Sequence, residues 1–200
     1  DNDASLALTT TPKWTSNSRL GTGAYDFSTS IHNKIVVDNS LKHLSPHYGD
    51  FSISFWIKTT SASNERIFSS GSHLDHFEIW KTDGIRATIA NGNTRIFSTG
   101  SIKINDGFWH HIAVVYNRNG SSDVYIDTII DPTGVNNISS MSGVNIDPPT
   151  MYIGTYGTST SYSLNGELDD LRFYTTALSI ENIQELYQTR ASLDDKGNFY

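Results

Sequence analysis

The densest group of side chains that could do chemistry combines imidazole with carboxylate in one short stretch. It comprises His73, Asp75, His76 and Glu78, and Trp80 follows two residues later. Such a set could bind a metal ion, hydrogen-bond a ligand at the rim of a binding face, or form a solvated loop. Metal-ligand spacing this short is common by chance, so all three interpretations stay open and a metal site is the least favoured.

A second candidate is the run Trp109-His110-His111, which invites a catalytic or metal-binding interpretation. Neighbouring side chains on a strand point to opposite faces, so the two imidazoles cannot easily converge on one ion. We therefore favour a structural role for both histidines.

Catalytic motifs are missing from the chain. A glycosidase of the usual kind needs two carboxylates that face each other, about 5 to 9.5 Å apart. The nearest matches, Asp75 to Glu78 and Glu167 to Asp170, are imperfect. The chain also has no Gly-x-Ser-x-Gly elbow, Gly-rich phosphate loop or His-Glu-x-x-His helix. These observations predict a protein that is not an enzyme.

Composition narrows the classes of partner. The chain has 200 residues, which predicts one domain with a substantial core. Lys and Arg total 14 against 21 Asp and Glu, and a formal net charge of -7 argues against nucleic acid and anionic membranes as partners. The chain has no Cys, and its apolar runs are shorter than the roughly 20 residues that span a bilayer. We expect neither disulfides nor membrane insertion.

The elements that must position these residues are short strands. Apolar stretches with period-two alternation, rich in Val, Ile, Phe, Tyr and Trp, are separated by turn signals such as Asp83-Gly84 and Asn91-Gly92. This pattern predicts an all-β fold, an antiparallel two-sheet β-sandwich (jelly roll) with one short C-terminal helix. The predicted strands are Lys34 to Val37, Ser52 to Lys58, Arg66 to Ser69, His76 to Trp80, Ile85 to Ala90, Thr94 to Ser98, His110 to Tyr116, Asp123 to Asp127, Met151 to Gly154 and Leu168 to Tyr174.

The helix is predicted from Ser179 to Arg190, with Ser179 as its N-cap. Its apolar face comprises Ile180, Ile183, Leu186 and Tyr187, and we expect that face to pack against the edge of the sandwich. We assign residues 1–190 to the domain. Residues 191–200 are polar and form either a tail or a late strand.

Strand parity predicts which side chains point away from the core. Ile53, Phe55 and Ile57 should face inward, which leaves Trp56 outward, and the same alternation directs Trp80 outward. A sugar ring offers an apolar C–H face and a rim of hydroxyls, so aromatic platforms beside polar groups suit it. The predicted ligand-binding residues are Trp56, Trp80, His73, Asp75, His76, Glu78, Arg86, Arg95, Tyr156 and Tyr162. The alternative is that a loop or the helix covers the tryptophans.

Four stretches, read in order, carry a resemblance to a known family. They are 23–27 leading to 35–37, then 50–58, then 106–116 followed by 124–127, and finally 152–154 with 164–174 and the helix start at 177–179. This order resembles the LamG-like (laminin-G-type) jelly-roll domains of the concanavalin A-like lectin/glucanase superfamily. The resemblance covers about Gly23 to Tyr187. It implies the fold, but the superfamily includes lectins, adhesion domains and a few hydrolases or lyases.

Two departures from the family pattern stand out. Family members usually begin with an aromatic strand that this chain lacks, so either upstream sequence was trimmed or Gly197 to Tyr200 supplies the partner. Asp127-Thr128 stands where the family commonly has Asp-Gly, so we expect that turn to differ.

The resemblance also implies a calcium ion near Asp169 and Asp170, where LamG-like domains often place a ligand between the closing strand and the N-terminal segment. Asn2, Asp3 and Asp26 would supply further oxygens, since calcium takes six to eight of them. The alternative is a solvated acidic turn.

Together these observations predict a non-catalytic, lectin-like carbohydrate-binding module, stabilised by calcium and secreted or held at the cell surface. Its partner would be a glycan or polysaccharide, and it could belong to a larger protein. The alternative is an extracellular adhesion or assembly domain that binds a protein, which should show a broad apolar patch and bury roughly 1,600 Å². A polysaccharide hydrolase or lyase is the least favoured interpretation.

Overall fold

The computed structural model describes residues 6–10, 12–30, 33–38, 44–70, 75–155 and 161–188, and of residues 6–10 and 75 it describes the backbone only. This part of the chain forms strands and one α-helix, with a single 3-10 turn at Ser139–Met141. The elements are β1 (Leu6–Thr10), β2 (Lys13–Thr15), β3 (Ala24–Asp26), β4 (Lys34–Asp38), β5 (Phe51–Lys58), β6 (Glu65–Ser70), β7 (Asp75–Lys81), β8 (Ile85–Asn91), β9 (Thr94–Thr99), β10 (Trp109–Tyr116), β11 (Ser121–Ile126), β12 (Ile129–Asn137), β13 (Thr150–Ile153), β14 (Glu167–Tyr174) and α1 (Ile180–Gln188).

Two seven-stranded antiparallel sheets pack face to face. Sheet A has the order β1-β4-β13-β6-β7-β8-β9, and sheet B has the order β12-β11-β10-β5-β14-β3-β2. Strands distant in sequence are neighbours, as where β5 lies between β10 and β14, so the chain passes repeatedly from one sheet to the other. The predicted two-sheet jelly roll is confirmed.

The core lies between the sheets and follows the predicted alternation. Ile53, Phe55 and Ile57 of sheet B are buried against Phe77 and Ile79 of sheet A. Burying one such side chain contributes about 1.5 to 3 kcal/mol, so this layer dominates the stability of the fold.

Every predicted strand is present, with bounds that shift by at most two residues. Strands β1, β2 and β12 were not predicted, and β3 was indicated only by the family resemblance over residues 23–27. Pro132 and Gly134 interrupt the alternation in β12, where the Asp131 carboxylate accepts the N–H groups of Ser101 and Ile102 at 2.7 and 2.8 Å. A side-chain contact between distant segments therefore holds this strand in place.

The turn between β11 and β12 keeps the φ signs of a type I′ turn. Asp127 and Thr128 have φ values of 49° and 74°, and Ile126 pairs with Ile129 across them. The expectation that this turn departs from the Asp-Gly form is wrong for the backbone. The threonine instead adopts a conformation that crowds a β-branched side chain.

The α-helix lies on the outer face of sheet B. Ser179 caps it, since its Oγ accepts the N–H of Asn182 at 3.3 Å, and Ile183 is buried against Ala113 and Val115 of β10. The expected position at the sandwich edge is wrong. Ala113 and Val115, two of the outward side chains of β10, are small and apolar, so the middle of the sheet complements the apolar face of the helix.

His111 lies beneath this helix. Its ring centroid is 5.2 Å from that of Trp56 and 6.2 Å from that of Tyr187. Burial lowers the pKa of His111 to about 4; the nearby guanidinium groups of Arg172 and Arg19 act in the same direction, and Asp127 opposes them. His110 points to the opposite face and hydrogen-bonds Asp127 Oδ2 at 2.7 Å, so the two histidines diverge as predicted.

We expect acid to destabilise the fold through His111. Between pH 6.5 and 4, His111 binds a proton in the unfolded chain but not in the folded chain. The free energy of unfolding therefore falls as pH falls, by about 3 kcal/mol. Urea unfolding at pH 7 and pH 4 should show a smaller loss in His111→Phe, which keeps a ring but cannot titrate. An equal loss in both proteins would contradict this assignment.

Candidate functional site

The candidate site lies on the outer face of sheet A, where arginine and aromatic side chains alternate across neighbouring strands. Arg66 of β6 is paired with Trp80 of β7, and Trp80 is paired with Arg86 of β8. Directly paired residues share a face of a sheet, and Ile79 beside Trp80 points into the core. We call Arg66, Trp80, Arg86 and Phe97 of β9 the arginine–aromatic ladder.

Cation–π contacts hold the ladder together. The guanidinium carbon of Arg66 lies 3.9 Å from the centroid of the Trp80 ring, and that of Arg86 lies 4.7 Å from it. Because β7 lies between β6 and β8, the two groups approach the indole from opposite sides. Arg86 also lies 5.4 Å from the centroid of Phe97. Each contact of this kind contributes about 0.5 to 2 kcal/mol.

Trp80 is therefore not an open platform. The sequence predicts Trp80 as an aromatic platform, and in the structure two guanidinium groups already lie over its ring. The open aromatic surfaces beside it are Phe97 and Tyr162, with 42% and 53% of their surface exposed.

Tyr162 is fixed beside the ladder by its backbone. Its carbonyl accepts the N–H of Arg66 at 2.8 Å, and Ser163 forms a parallel bridge with the same residue. The Tyr162 ring lies 5.4 Å from that of Trp80, at an angle of 59°. Tyr162 therefore lies beside Trp80 at the β6 end of the ladder.

Glu78 lies beneath the ladder and is almost completely buried. Its Oε2 accepts the indole N–H of Trp80 at 2.9 Å, and its Oε1 lies 3.8 Å from Arg66. Glu78 therefore orients the indole and neutralises the charge of Arg66, which a half-buried cation requires.

Arg86 differs from Arg66 in having no carboxylate beside it. Its Nε is fully buried, and no described residue accepts a hydrogen bond from it or pairs with its charge. Trp80 and Phe97 are the groups that contact it.

The remaining predicted ligand-binding residues divide into three groups. Arg95 is exposed on the same face, opposite Ala90 and two residues before Phe97, whereas His76 is only 1% exposed and cannot reach a ligand.

Trp56 lies in sheet B and is 2% exposed, because Tyr187 stacks on its ring at 5.4 Å. The prediction of Trp56 as a platform is wrong, and the alternative of cover by the helix is confirmed. His73 and Tyr156 lie outside the described residues, and the side chain of Asp75 is not described.

Two members of the ladder, Phe97 and Arg66, were not predicted from the sequence. Phe97 has the same strand parity as Arg95, and the short Gly92-Asn93 turn fixes the register that places Phe97 opposite Thr88. The sequence therefore contained enough information to predict Phe97 on this face. Arg66 gave no such signal, because the pairing of β6 with β7 shifts between Arg66 and Phe68.

The carboxylates predicted to bind calcium point to other partners. Asp169 Oδ2 accepts the backbone N–H groups of Arg19 and Leu20, both at 2.8 Å, and Asp170 Oδ1 accepts the Nε–H of Arg172 at 2.8 Å. Asp26 Oδ1 accepts the N–H of its neighbour Ser28 at 2.8 Å. Asn2 and Asp3 lie outside the described residues. Within the described ranges no group of three His, Cys, Asp or Glu side chains could hold a metal ion, and Asp26, Asp169 and Asp170 each bond a different partner, so these three carboxylates do not fit a shared calcium ion.

A second exposed surface lies at the open edge of the sandwich. Trp14 and Tyr25 pair across β2 and β3, are 57% and 44% exposed, and Tyr25 lines a cavity of about 270 Å³. One side of the Trp14 indole lies against Gly23, where a methyl group would overlap it.

Comparison with known proteins identifies one matching family model. The Laminin_G_3 model, described as the concanavalin A-like lectin/glucanases superfamily, matches residues 27–184. No curated protein sequence matches the chain. None of the described helices is long and apolar enough to cross a membrane.

Solved structures with the same fold include toxin binding domains. The binding domain of Paraclostridial Mosquitocidal Protein 1 has a TM-score of 0.72 at 18% identity, over 93% of this chain and 47% of that one. The botulinum neurotoxin serotype D ligand binding domain, in complex with N-acetylneuraminic acid, has a TM-score of 0.67 at 21% identity, over 93% and 46%. The binding domain of botulinum neurotoxin DC, in complex with rat synaptotagmin II, has a TM-score of 0.68 at 17% identity, over 98% and 50%. The chain thus spans about half the length of these binding domains, and the similarity shows a shared fold.

The role of Asp169 as an anchor predicts the result of a substitution. Asp169→Ala leaves the N–H groups of Arg19 and Leu20 without their acceptor, and we expect it to lower the free energy of unfolding by about 1 to 3 kcal/mol. Asp26→Ala, which removes a carboxylate bonded to its neighbour, is the control and should cost less. Calcium or a chelator should leave the Tm unchanged. If calcium raised the Tm of the wild-type protein and not that of Asp169→Ala, this result would support the predicted calcium site.

Proposed function

The chain belongs to the concanavalin A-like lectin/glucanase superfamily, and from this membership we propose that it is a non-catalytic carbohydrate-binding module. The ligand lies across the arginine–aromatic ladder, with Tyr162 at one end. We place the module outside the cell or at its surface, as part of a larger protein.

One observation carries this proposal. Trp80, Glu78, Arg86 and Tyr162, which strand parity and loop composition select from sequence, form one contact group on the outer face of sheet A. Partly exposed aromatic rings beside hydrogen-bond donors suit the alternation of C–H faces and hydroxyls on a sugar.

The ladder offers a sugar two kinds of contact. The rings of Tyr162 and Phe97 are open and can pack against C–H faces, while the guanidinium groups between them can donate to hydroxyl oxygens. Trp80 supports both guanidinium groups from between them, so its contribution is to position the donors.

A binding role agrees with known relatives of the fold. One botulinum binding domain is solved with N-acetylneuraminic acid and another with rat synaptotagmin II. The absence of a paired-carboxylate or nucleophile motif from the sequence supports a module without catalysis. Glu78, the buried carboxylate of the site, already bonds Trp80 and faces Arg66.

The alternative function, binding of a protein partner, is favoured by the Trp14–Tyr25 pair beside its cavity. The exposed large apolar side chains of the described ranges do not form one broad patch, however. Trp14 lies on the last strand of sheet B, and Ile129 lies on β12 at the opposite edge. A stable protein interface usually has a contiguous centre, so the ladder remains the better candidate.

We expect Trp80→Ala to weaken glycan binding at least tenfold, about 1.4 kcal/mol, because both guanidinium groups lose their support. The protein should be screened on a glycan array, and affinity for the strongest hit measured by calorimetry. Trp14→Ala is the matched control, since it removes another exposed tryptophan distant from the ladder, and should retain binding. Thermal melting must show that both variants fold.

Two outcomes would contradict the proposal. A folded protein that binds no glycan would favour the protein-binding alternative. Loss of glycan binding in Trp14→Ala and not in Trp80→Ala would move the site to the β2–β3 edge.

A further inference from the structure

We propose that the glycan bound at the ladder carries an anionic group, a carboxylate or a sulfate, and that the Arg86 guanidinium binds it. This inference rests on the proposed function, because it assigns the class of sugar that the same site takes.

The two arginines of the ladder differ in whether a carboxylate lies beside them. Arg66 lies 3.8 Å from the carboxylate of Glu78, whereas no described residue offers Arg86 a carboxylate or a hydrogen-bond acceptor. An arginine stays charged under all ordinary conditions, so Arg66 and Arg86 together with Glu78 leave one cation in excess within the ladder, and Arg95 adds another on the same face. Aromatic rings attract that cation but do not neutralise it.

The stacking of Arg86 leaves its remaining donors available for a ligand. Its N–H groups lie in the guanidinium plane, while its contacts with Trp80 and Phe97, at 4.7 and 5.4 Å, are with rings that accept no strong hydrogen bond. A planar guanidinium held in this way presents two parallel donors, which match the two oxygens of a carboxylate or two oxygens of a sulfate.

Burial makes a charged ligand preferable to a neutral one. The Nε of Arg86 is removed from solvent and unpaired, and a half-buried cation gains more from an anion than from a hydroxyl. Hydrogen bonds between two charged groups are roughly twice as strong as those between neutral groups.

The overall charge of the protein makes such binding specific. A chain with a net charge of -7 repels polyanions at long range, so it cannot collect acidic polysaccharides by general electrostatic attraction. Affinity for an acidic sugar would then come from a local contact, and one variant can test it.

The test compares ligands that differ in charge alone. Calorimetry at fixed ionic strength would use oligomers of galacturonic acid, their neutral methyl esters, and a sulfated neutral oligosaccharide of equal length. We expect the wild-type protein to bind one of the two acidic probes at least tenfold more tightly than the methyl ester. The acidic probe preferred distinguishes a carboxylate ligand from a sulfate ligand.

Two variants assign the effect to Arg86. Arg86→Gln should reduce affinity for the preferred acidic probe at least tenfold and change affinity for a neutral glycan less. Lys13→Gln is the matched control, because it removes one positive charge from an exposed position on β2, in the other sheet, and should change either affinity less than twofold. Thermal melting would confirm that each variant folds.

The outcomes separate this inference from the proposed function. Binding of neutral glycans with no preference for acidic ones would overturn the anionic ligand and leave the carbohydrate-binding module intact. Equal losses in Arg86→Gln and Lys13→Gln would overturn the assignment to Arg86. No binding of any glycan by the folded protein would overturn the proposed function itself.

Discussion

Alternation along a β-strand gives each strand of this sandwich a second set of side chains that the core cannot bury. The two sheets meet this constraint differently. On sheet B the outward set includes Trp56, Ala113 and Val115, and helix α1 lies over it, so those side chains are as buried as the core. On sheet A the outward set near Trp80 is half-covered by two arginines. Two tryptophans of equal strand parity thus lie in different surroundings, Trp56 under a helix and Trp80 beside two arginines at a partly open surface.

The groups that lie over Trp56 differ from those that lie over Trp80. Tyr187 of the helix stacks on the ring of Trp56. The segment that leads into the helix is held by Ser52, whose hydroxyl donates to the carbonyl of Thr176 at 2.9 Å and accepts the N–H of Leu178 at 3.0 Å. Over Trp80, the cover is made of guanidinium groups that have donors of their own. Trp56 also has a guanidinium beside its ring, since that of Arg19 lies 4.3 Å from the centroid. What separates the two tryptophans is therefore the helix over Trp56, and not the presence of a cation.

Strand parity explains how much of the site the sequence could predict. Alternation within β7 and β8 selects Trp80, Glu78 and Arg86, and the short turn after β8 would also have selected Phe97. Arg66 escapes prediction because a bulge shifts the register of β6, and the burial of Trp56 escapes it because helix docking depends on tertiary contacts. The calcium expectation came from family resemblance rather than from local pattern. It does not fit Asp169, whose carboxylate holds the backbone of Arg19 and Leu20.

Glu78 links the structural and functional parts of the ladder. By accepting the indole N–H of Trp80 and facing Arg66, it fixes the ring between the two arginines and neutralises one of them. Without this carboxylate the face would hold two adjacent uncompensated cations, which would repel each other and favour a dense polyanion. With it, Arg66 has a counter-charge and Arg86 does not. If the ladder binds the proposed acidic glycan, its single unpaired arginine suits a sugar with one acidic group per contact, and selectivity then depends on the position of that group rather than on total charge.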